Sequence, residues 1–182
     1  MTMDAIFTVF LGGVLLNNYA LMHFLGISTV LSNESTVKKT CCLGLSITAV
    51  MVLATLITWP LQTYVLAPFG LEYLQILVNV AVILAIAAII SAVCKKNCKT
   101  WFVLLAVNSA VLGVTLNAVA EGFTFVQALV YALAVGLGFL LAMVAFSGIR
   151  SKIVEQNVPK AFRGLPIQLM AAAIMALALF AF

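Results

Sequence analysis

Long apolar stretches separated by short polar turns make up almost the whole chain. Six of these stretches are long enough to cross a membrane as helices, since one span takes about 20 apolar residues. Their continuous hydrophobicity is unlike the alternating ten-residue segments of a membrane β-barrel. The predicted spans are Ala5–Ile27, Thr40–Tyr64, Leu71–Val93, Thr100–Val119, Phe125–Ile149 and Leu165–Phe182. The pattern therefore predicts an all-α integral membrane protein with six transmembrane helices.

The composition excludes a soluble globular protein. Of the 182 residues, 65% are hydrophobic and only 8% are charged, and the mean hydropathy is +1.26. Soluble domains contain about 25% charged residues. The first apolar stretch is not typical of a cleaved signal peptide, because it follows the acidic Asp4 and lacks a small-residue cleavage site. We expect it to be retained as the first span.

The distribution of charge predicts how the spans are oriented. All nine Lys and Arg residues fall in three segments, which are 38–39, 95–99 and 150–163. The other turns carry only acidic residues, namely Asp4, Glu72 and Glu121. Cytoplasmic loops of membrane proteins are enriched in Lys and Arg. The first, third and fifth loops are therefore expected in the cytoplasm, and both termini are expected outside.

This orientation divides the chain into two halves of three spans each. Residues 1–94 would begin outside and end inside, and residues 95–182 would run the opposite way. Such a 3+3 inverted repeat tends to place its functional site at the interface between the repeats, near the middle of the bilayer. A short local similarity agrees with it, because Leu16–Leu21 in span one corresponds to Val107–Leu112 in span four. This alignment pairs Asn18 with Asn108.

The amides Asn17, Asn18 and Asn108 lie within the predicted spans. An unpaired polar group in hydrocarbon is costly, so these side chains need partners. Hydrogen bonding between helices would satisfy an isolated Asn. Two related amide sites flanked by glycines instead favour interrupted helices one and four, whose broken ends line the axis between the repeats.

Other polar groups in the spans carry weaker signals. His23 lies in span one without a second His or an intramembrane carboxylate, so an interhelical hydrogen bond is favoured over a proton relay. Four cysteines, Cys41, Cys42, Cys94 and Cys98, are expected at cytoplasmic ends of spans, where thiols stay reduced. A four-thiolate metal site is the alternative, but the spacing is not the common CxxC. No nucleophile–base pair or phosphate-binding loop is apparent, so any catalysis would be that of a larger assembly.

Three segments carry a resemblance to a known family. They are Leu16-Asn-Asn-Tyr-Ala-Leu-Met-His-Phe-Leu-Gly26, Asn108-Ser-Ala-Val-Leu-Gly113 and Val158-Pro-Lys-Ala-Phe-Arg-Gly-Leu-Pro-Ile167. Together they resemble the Rnf/Nqr family of membrane subunits. Within it, the chain is most similar to the branch that holds the A-type subunit of Rnf electron-transport complexes and the E-type subunit of Na+-translocating NADH:quinone reductases. The Phe-Arg-Gly segment before the last span favours this branch.

The resemblance implies a cofactor, partners and a location. In the family, a paralogous six-helix subunit of opposite orientation supplies two cysteines, and this branch supplies two more, to a 2Fe-2S cluster on the pseudo-twofold axis. Flavin-carrying and iron–sulfur subunits complete the complex in a bacterial or archaeal cytoplasmic membrane. In this chain both cysteine positions are serines, Ser28 and Ser109. An alcohol is a poor substitute for the thiolate that such clusters need.

The resemblance and this departure from it lead to two different functions. The resemblance implies a membrane subunit of an Rnf-type complex, which couples ferredoxin/NAD oxidoreduction to Na+ or H+ movement. The serine pair motivates an alternative, a cluster-free homologue that acts as a small-substrate or ion transporter or as a scaffold. If the family positions carry over, Ser28 and Ser109 should lie close together on the face that meets the partner subunit.

Overall fold

The computed structural model describes residues 25–26, 29, 37–94, 98–153, 159 and 162–180. These residues are almost entirely helical, and none of them lies in a β-strand. Within the described residues the α-helices are α1 (Val37–Leu61), α2 (Gln75–Cys94), α3 (Cys98–Ala106), α4 (Ser109–Ala120), α5 (Phe125–Lys152) and α6 (Leu165–Phe180). A π-helical turn at Gln62–Leu66 extends α1, and a 3-10 turn at Glu72–Leu74 precedes α2.

Four stretches are long and apolar enough to cross a membrane. They are Lys39–Leu66, Glu72–Ala92, Phe102–Ala120 and Phe125–Lys152, and a shorter apolar helix covers Leu165–Ala178. These elements confirm the all-α membrane architecture and match predicted spans two to six within a few residues. The first predicted span lies outside the described residues apart from its last part, so the count of six spans stays a prediction. The protein is a multi-pass membrane protein.

The centre of the bundle is the antiparallel contact between α1 and α5. A methyl group added at Gly136 of α5 would lie 2.5 Å from Cγ2 of Thr48 on α1, so the glycine is what allows this approach. The Thr48 hydroxyl donates to the carbonyl oxygens of Gly136 at 3.0 Å and of Gly44 at 2.9 Å. Small residues allow such close contacts between helices in membranes, where lipid provides no hydrophobic driving force for association.

Aromatic residues hold together the end of this helix pair that contains the last turn of α1 and the first turn of α5. The indole N–H of Trp59 donates to the carbonyl oxygen of Phe123 at 2.9 Å, which ties α1 to the turn before α5. The Trp59 ring also lies 5.4 Å from that of Phe125 and 6.4 Å from that of Tyr64. Aromatic residues with a polar atom favour the membrane–water interface. This end of the bundle is therefore assigned to one membrane surface.

The fourth span is interrupted, as the sequence predicts. Helix α3 ends at Ala106 and α4 begins at Ser109, so two half-helices replace one continuous span. Between them, Asn108 has an extended backbone with φ −77° and ψ 107°. Backbone of this kind at membrane depth is tolerated where protein surrounds it or where it lines a cavity. The break therefore identifies a candidate functional site inside the bundle.

Candidate functional site at the break in the fourth span

Asn108 determines where the second half-helix starts. Its side-chain Oδ1 accepts a hydrogen bond of 2.9 Å from the backbone N–H of Ala110, which is one of the donors that a helix start leaves unpaired. Asn and Ser are favoured at such positions because their side chains cap these donors. Asn108 is only 2% exposed. It therefore lies at an interrupted helix, and its side-chain oxygen has a structural partner.

A turn from the first half of the chain packs against this break. The backbone N–H of Gly26 donates to the Ser109 hydroxyl oxygen at 2.8 Å, across 83 residues of sequence. The Asn108 side-chain NH₂ donates to the Thr29 hydroxyl at 3.4 Å, and the turn is closed by a 3.0 Å hydrogen bond from the Thr29 N–H to the Gly26 carbonyl oxygen. Four residues that we call the axis cluster, Gly26, Thr29, Asn108 and Ser109, therefore join the two predicted repeats.

Only glycine fits at position 26. Its φ of +73° lies in the left-handed region, which costs other residues free energy. A Cβ atom there would also lie 2.6 Å from Oδ1 of Asn108 and 2.8 Å from Cε2 of Phe139. Real Cβ atoms do not approach other atoms so closely. Glycine is therefore required at position 26 both by the backbone conformation and by the packing around it.

The remaining predicted site residues lie outside the described part of the chain. They are Asn17, Asn18, His23 and Ser28. The predicted approach of Ser28 to Ser109 therefore stays a prediction, although the described neighbours Gly26 and Thr29 both contact the break. Ser109 itself is exposed on the isolated chain, next to Val107, which is 72% exposed. A hydroxyl at such a position in a span faces either lipid or another protein.

Sequence reasoning did not identify several buried polar residues of the bundle. Thr29 is 1% exposed, Asn79 is 2% exposed, and Gln62 and Gln168 are 7% and 9% exposed. Asn79 interrupts a run of apolar residues in span three, and each glutamine follows a proline by two residues. Those local irregularities were the only available signal. Thr29 had none, because a threonine at a span end is common.

Comparison with known proteins establishes the family. The family model described as "Rnf-Nqr subunit, membrane protein" matches residues 6–182. The chain belongs to the Rnf-Nqr family. This match extends over the axis cluster and all the described helices, so the break in the fourth span lies within the region that defines the family.

Relatives cover nearly the full chain. The A subunit of the "Ion-translocating oxidoreductase complex" of Syntrophotalea carbinolica is 36% identical over 99% of this chain and 97% of its own length. The A subunit of the "Na(+)-translocating ferredoxin:NAD(+) oxidoreductase complex" of Acetobacterium woodii is 34% identical over 96% of this chain and 94% of its own length. The A subunit of the "Ion-translocating oxidoreductase complex" of Serratia proteamaculans is 35% identical over 96% of this chain and 94% of its own length.

The residues of the axis cluster do not fit a thiolate-bound iron–sulfur cluster. At the position where the resemblance implies a cluster ligand, Ser109 offers an alcohol, which is a much weaker acid than a thiol and a poor ligand for cluster iron. Its oxygen already accepts the N–H of Gly26 at 2.8 Å. Among the described residues, no group of three or more His, Cys, Asp or Glu side chains could hold a metal ion.

The cysteines do not compensate for this within the described part. Cys41 is half-buried and Cys42 is exposed, and both are free thiols at the start of α1. The side chains of Cys94 and Cys98 are outside the described set, so the four-thiolate alternative stays untested. Adjacent cysteines at the beginning of one helix point in different directions, since successive residues on a helix are separated by about 100°.

Proposed function

We propose that this chain is an integral membrane subunit of an Rnf-type ion-translocating electron-transport complex, in which ferredoxin/NAD oxidoreduction is coupled to Na+ or H+ movement. The observation that carries the proposal is the full-length match to proteins named as the A subunits of such complexes. The broken fourth span adds support, because inverted-repeat proteins hold their functional groups at interrupted helices near the midplane.

The test is to purify the complex from its native membrane through a tag on this chain. Mass spectrometry should find a paralogous six-helix subunit together with flavin-carrying and iron–sulfur subunits. Membranes from a strain without this chain should lose ferredoxin-dependent NAD+ reduction and the ion uptake coupled to it. A tagged chain that co-purifies with none of these subunits, and a deletion strain with full activity, would exclude the proposed function.

The proposed location is the cytoplasmic membrane of a bacterium or archaeon, with both termini outside. Charges at the helix ends support it, since Arg150 and Lys152 lie in the last turn of α5 and the exposed Lys39 lies at the start of α1. Exposed Glu72 and Glu121 lie at the opposite ends of the helices. Alkaline phosphatase fused after Phe182 should be active, and the same enzyme inserted at residue 96 should be inactive.

The proposed partner at the axis is the paralogous six-helix protein of the complex. The exposure of Ser109 supports this, because a hydroxyl is better covered by protein than by lipid at this depth. The resemblance implies a 2Fe-2S cluster at the junction between the two subunits. We propose that this chain contributes no thiolate ligand to it through Ser28 or Ser109, so the cluster is absent or impaired.

One observation favours a second candidate function. The Ser109 oxygen acts as a hydrogen-bond acceptor that joins the two predicted repeats, which is the role of a scaffold and needs no cofactor. The alternative is therefore a cluster-free transporter or scaffold. Iron analysis and an EPR spectrum of the reduced complex separate the two. Absence of an intramembrane 2Fe-2S signal, in a complex that lacks ferredoxin-dependent activity, supports the alternative.

A further inference from the structure

The outer end of the second span departs from regular α-helix. Pro60 lies inside α1, where it has no N–H to donate. The π-helical turn follows, with hydrogen bonds of 3.0 Å from Ala67 N–H to the Gln62 carbonyl oxygen and from Leu71 N–H to the Leu66 carbonyl oxygen. Single π-helical turns are rare in proteins. Where they occur, they are often part of a functional site. This irregular segment is therefore a candidate site separate from the axis cluster.

Gln62, the first residue of the turn, has a buried oxygen without a partner. The residue is 7% exposed, and its side-chain Oε1 accepts no hydrogen bond. Gln62 also lies within the apolar stretch that spans the membrane. An amide oxygen in such surroundings costs free energy unless something donates to it or coordinates it. The side-chain oxygen of Gln62 is therefore an acceptor that no group in the described part of the protein uses.

Two further buried residues with oxygen atoms lie on α1 and on the neighbouring helix α2. The hydroxyl of buried Thr58 donates to the Ala54 carbonyl oxygen at 2.8 Å, which leaves the lone pairs of its oxygen available. On α2, the NH₂ of buried Asn79 donates to the Thr115 hydroxyl at 3.3 Å, and this hydrogen bond does not use the carbonyl oxygen of Asn79. The helices that carry these groups, α1, α2 and α4, all pack against one another.

The hairpin between α1 and α2 carries these groups on its two arms. The hydrogen bond between Leu71 and Leu66 fixes the level at which the two arms of this helical hairpin meet. Thr58 and Gln62 are four residues apart on the α1 arm, so their side chains lie on the same face of that arm. Asn79 follows Leu71 by eight residues on the α2 arm. We call Gln62, Thr58 and Asn79 the outer site.

The charge around this end of the bundle suits a cation. Exposed Glu72 lies in the 3-10 turn next to the π-helical turn, and exposed Glu121 follows α4. The sequence has no Lys, Arg or His in residues 40–94 or 100–149. Acidic residues without basic ones beside them raise the local concentration of cations.

We infer that Gln62, Thr58 and Asn79 form a binding site for one Na+ ion, and that Glu72 and Glu121 draw cations to this end of the bundle. Hard cations take oxygen ligands of this kind. The neutral amides and hydroxyl favour a monovalent ion, because divalent sites in proteins rely on carboxylates. The inference rests on the proposed function for its meaning, since it places a step of the ion's path in this chain.

The experiment is to measure binding of ²²Na+ to the whole complex, purified through a tag on this chain and reconstituted in nanodiscs. Constant ionic strength is kept with a large organic cation. The wild-type complex should bind Na+ saturably. Q62L should bind at least about tenfold more weakly, which corresponds to the loss of about 1.4 kcal/mol from one ligand. The matched control is Q168L, which removes the other buried unpaired amide oxygen, on α6, and should bind as the wild type does.

Two results would overturn the inference: a wild-type complex without saturable Na+ binding, and a Q62L complex that binds Na+ as tightly as the wild type. Q62E guards against a misfolded Q62L, because it keeps the oxygen and adds charge. It should bind Na+ at least several-fold more tightly, and unchanged binding would also count against the site. The composition of the same preparations tests the proposed function separately, since a complex with all expected partners can still fail to bind Na+.

Discussion

The axis cluster and the outer site differ in whether the oxygen atoms of their polar side chains have hydrogen-bond partners. At the axis, the oxygens of Asn108 and Ser109 both accept hydrogen bonds from backbone N–H groups. At the outer site, the side-chain oxygen of Gln62 has no partner although the residue is buried as well. Satisfied polar groups hold a fold together, whereas an unsatisfied buried oxygen is free to accept a hydrogen bond from a ligand or to coordinate one. The two regions thus separate a structural role from a binding role within one bundle.

The largest effect is expected for G26A. The added methyl would meet Asn108 Oδ1 at 2.6 Å and Phe139 Cε2 at 2.8 Å, and alanine is also strained at a φ of +73°. Together these should lower the free energy of unfolding by about 3 kcal/mol. The measurement is denaturant or thermal unfolding of the purified protein in detergent micelles.

A matched control for this change is G122A. Gly122 has a φ of +64° but nothing within 4 Å of an added Cβ. It should lose only the conformational part, about 1 kcal/mol. Equal losses for the two variants would show that the contact between the first turn and the broken span does not stabilise the protein.

The second effect, S109A, tests the hydrogen bond between the two predicted repeats. Removing the hydroxyl leaves the Gly26 N–H without its acceptor, which should cost about 1–2 kcal/mol. S46A is the control, because the Ser46 hydroxyl donates only to the Cys42 carbonyl oxygen within its own helix. A loss of unfolding free energy no larger than that of S46A would contradict a joining role for Ser109.

The third effect is expected for T115V. It removes the acceptor of the Asn79 side chain, a hydrogen bond of 3.3 Å between α2 and α4. Such bonds between membrane helices contribute about 0.6 kcal/mol on average. T55V serves for comparison, since the equally buried Thr55 bonds only to its own helix, at the Met51 carbonyl oxygen. Unfolding of both variants, measured in Na+-free buffer, should differ by that amount.

Spans two to six and the break at Asn108 were predictable for a definite physical reason. The hydropathy of a span depends only on residues that are adjacent in sequence. A single amide that can cap a helix, placed in an apolar run, is likewise visible in the local sequence. The partners of these groups are not local. Gly26 and Thr29 contact the break across 83 and 79 residues of sequence, and no local pattern indicates such a contact.

The outer site escaped sequence reasoning for a related reason. Helices in this protein are apolar on all sides, so no periodic pattern indicates which face of α1 is buried. The importance of Gln62 depends on whether its oxygen is paired, and pairing is a property of the packed bundle. The π-helical turn that follows Pro60 likewise depends on the hairpin to α2, which closes through the hydrogen bond between Leu71 and Leu66.

The smallest change in stability is expected for Q62L, and its sign separates the two regions most sharply. Leucine removes an oxygen that has no partner, so in Na+-free buffer the unfolding free energy should stay unchanged or rise by up to about 1 kcal/mol. Added Na+ should then raise the melting temperature of the wild type and of Q168L but not that of Q62L, because a ligand stabilises only the state that binds it. If Q62L instead loses as much stability as S109A, Gln62 has a structural role like that of the axis cluster, and the contrast between the two regions fails.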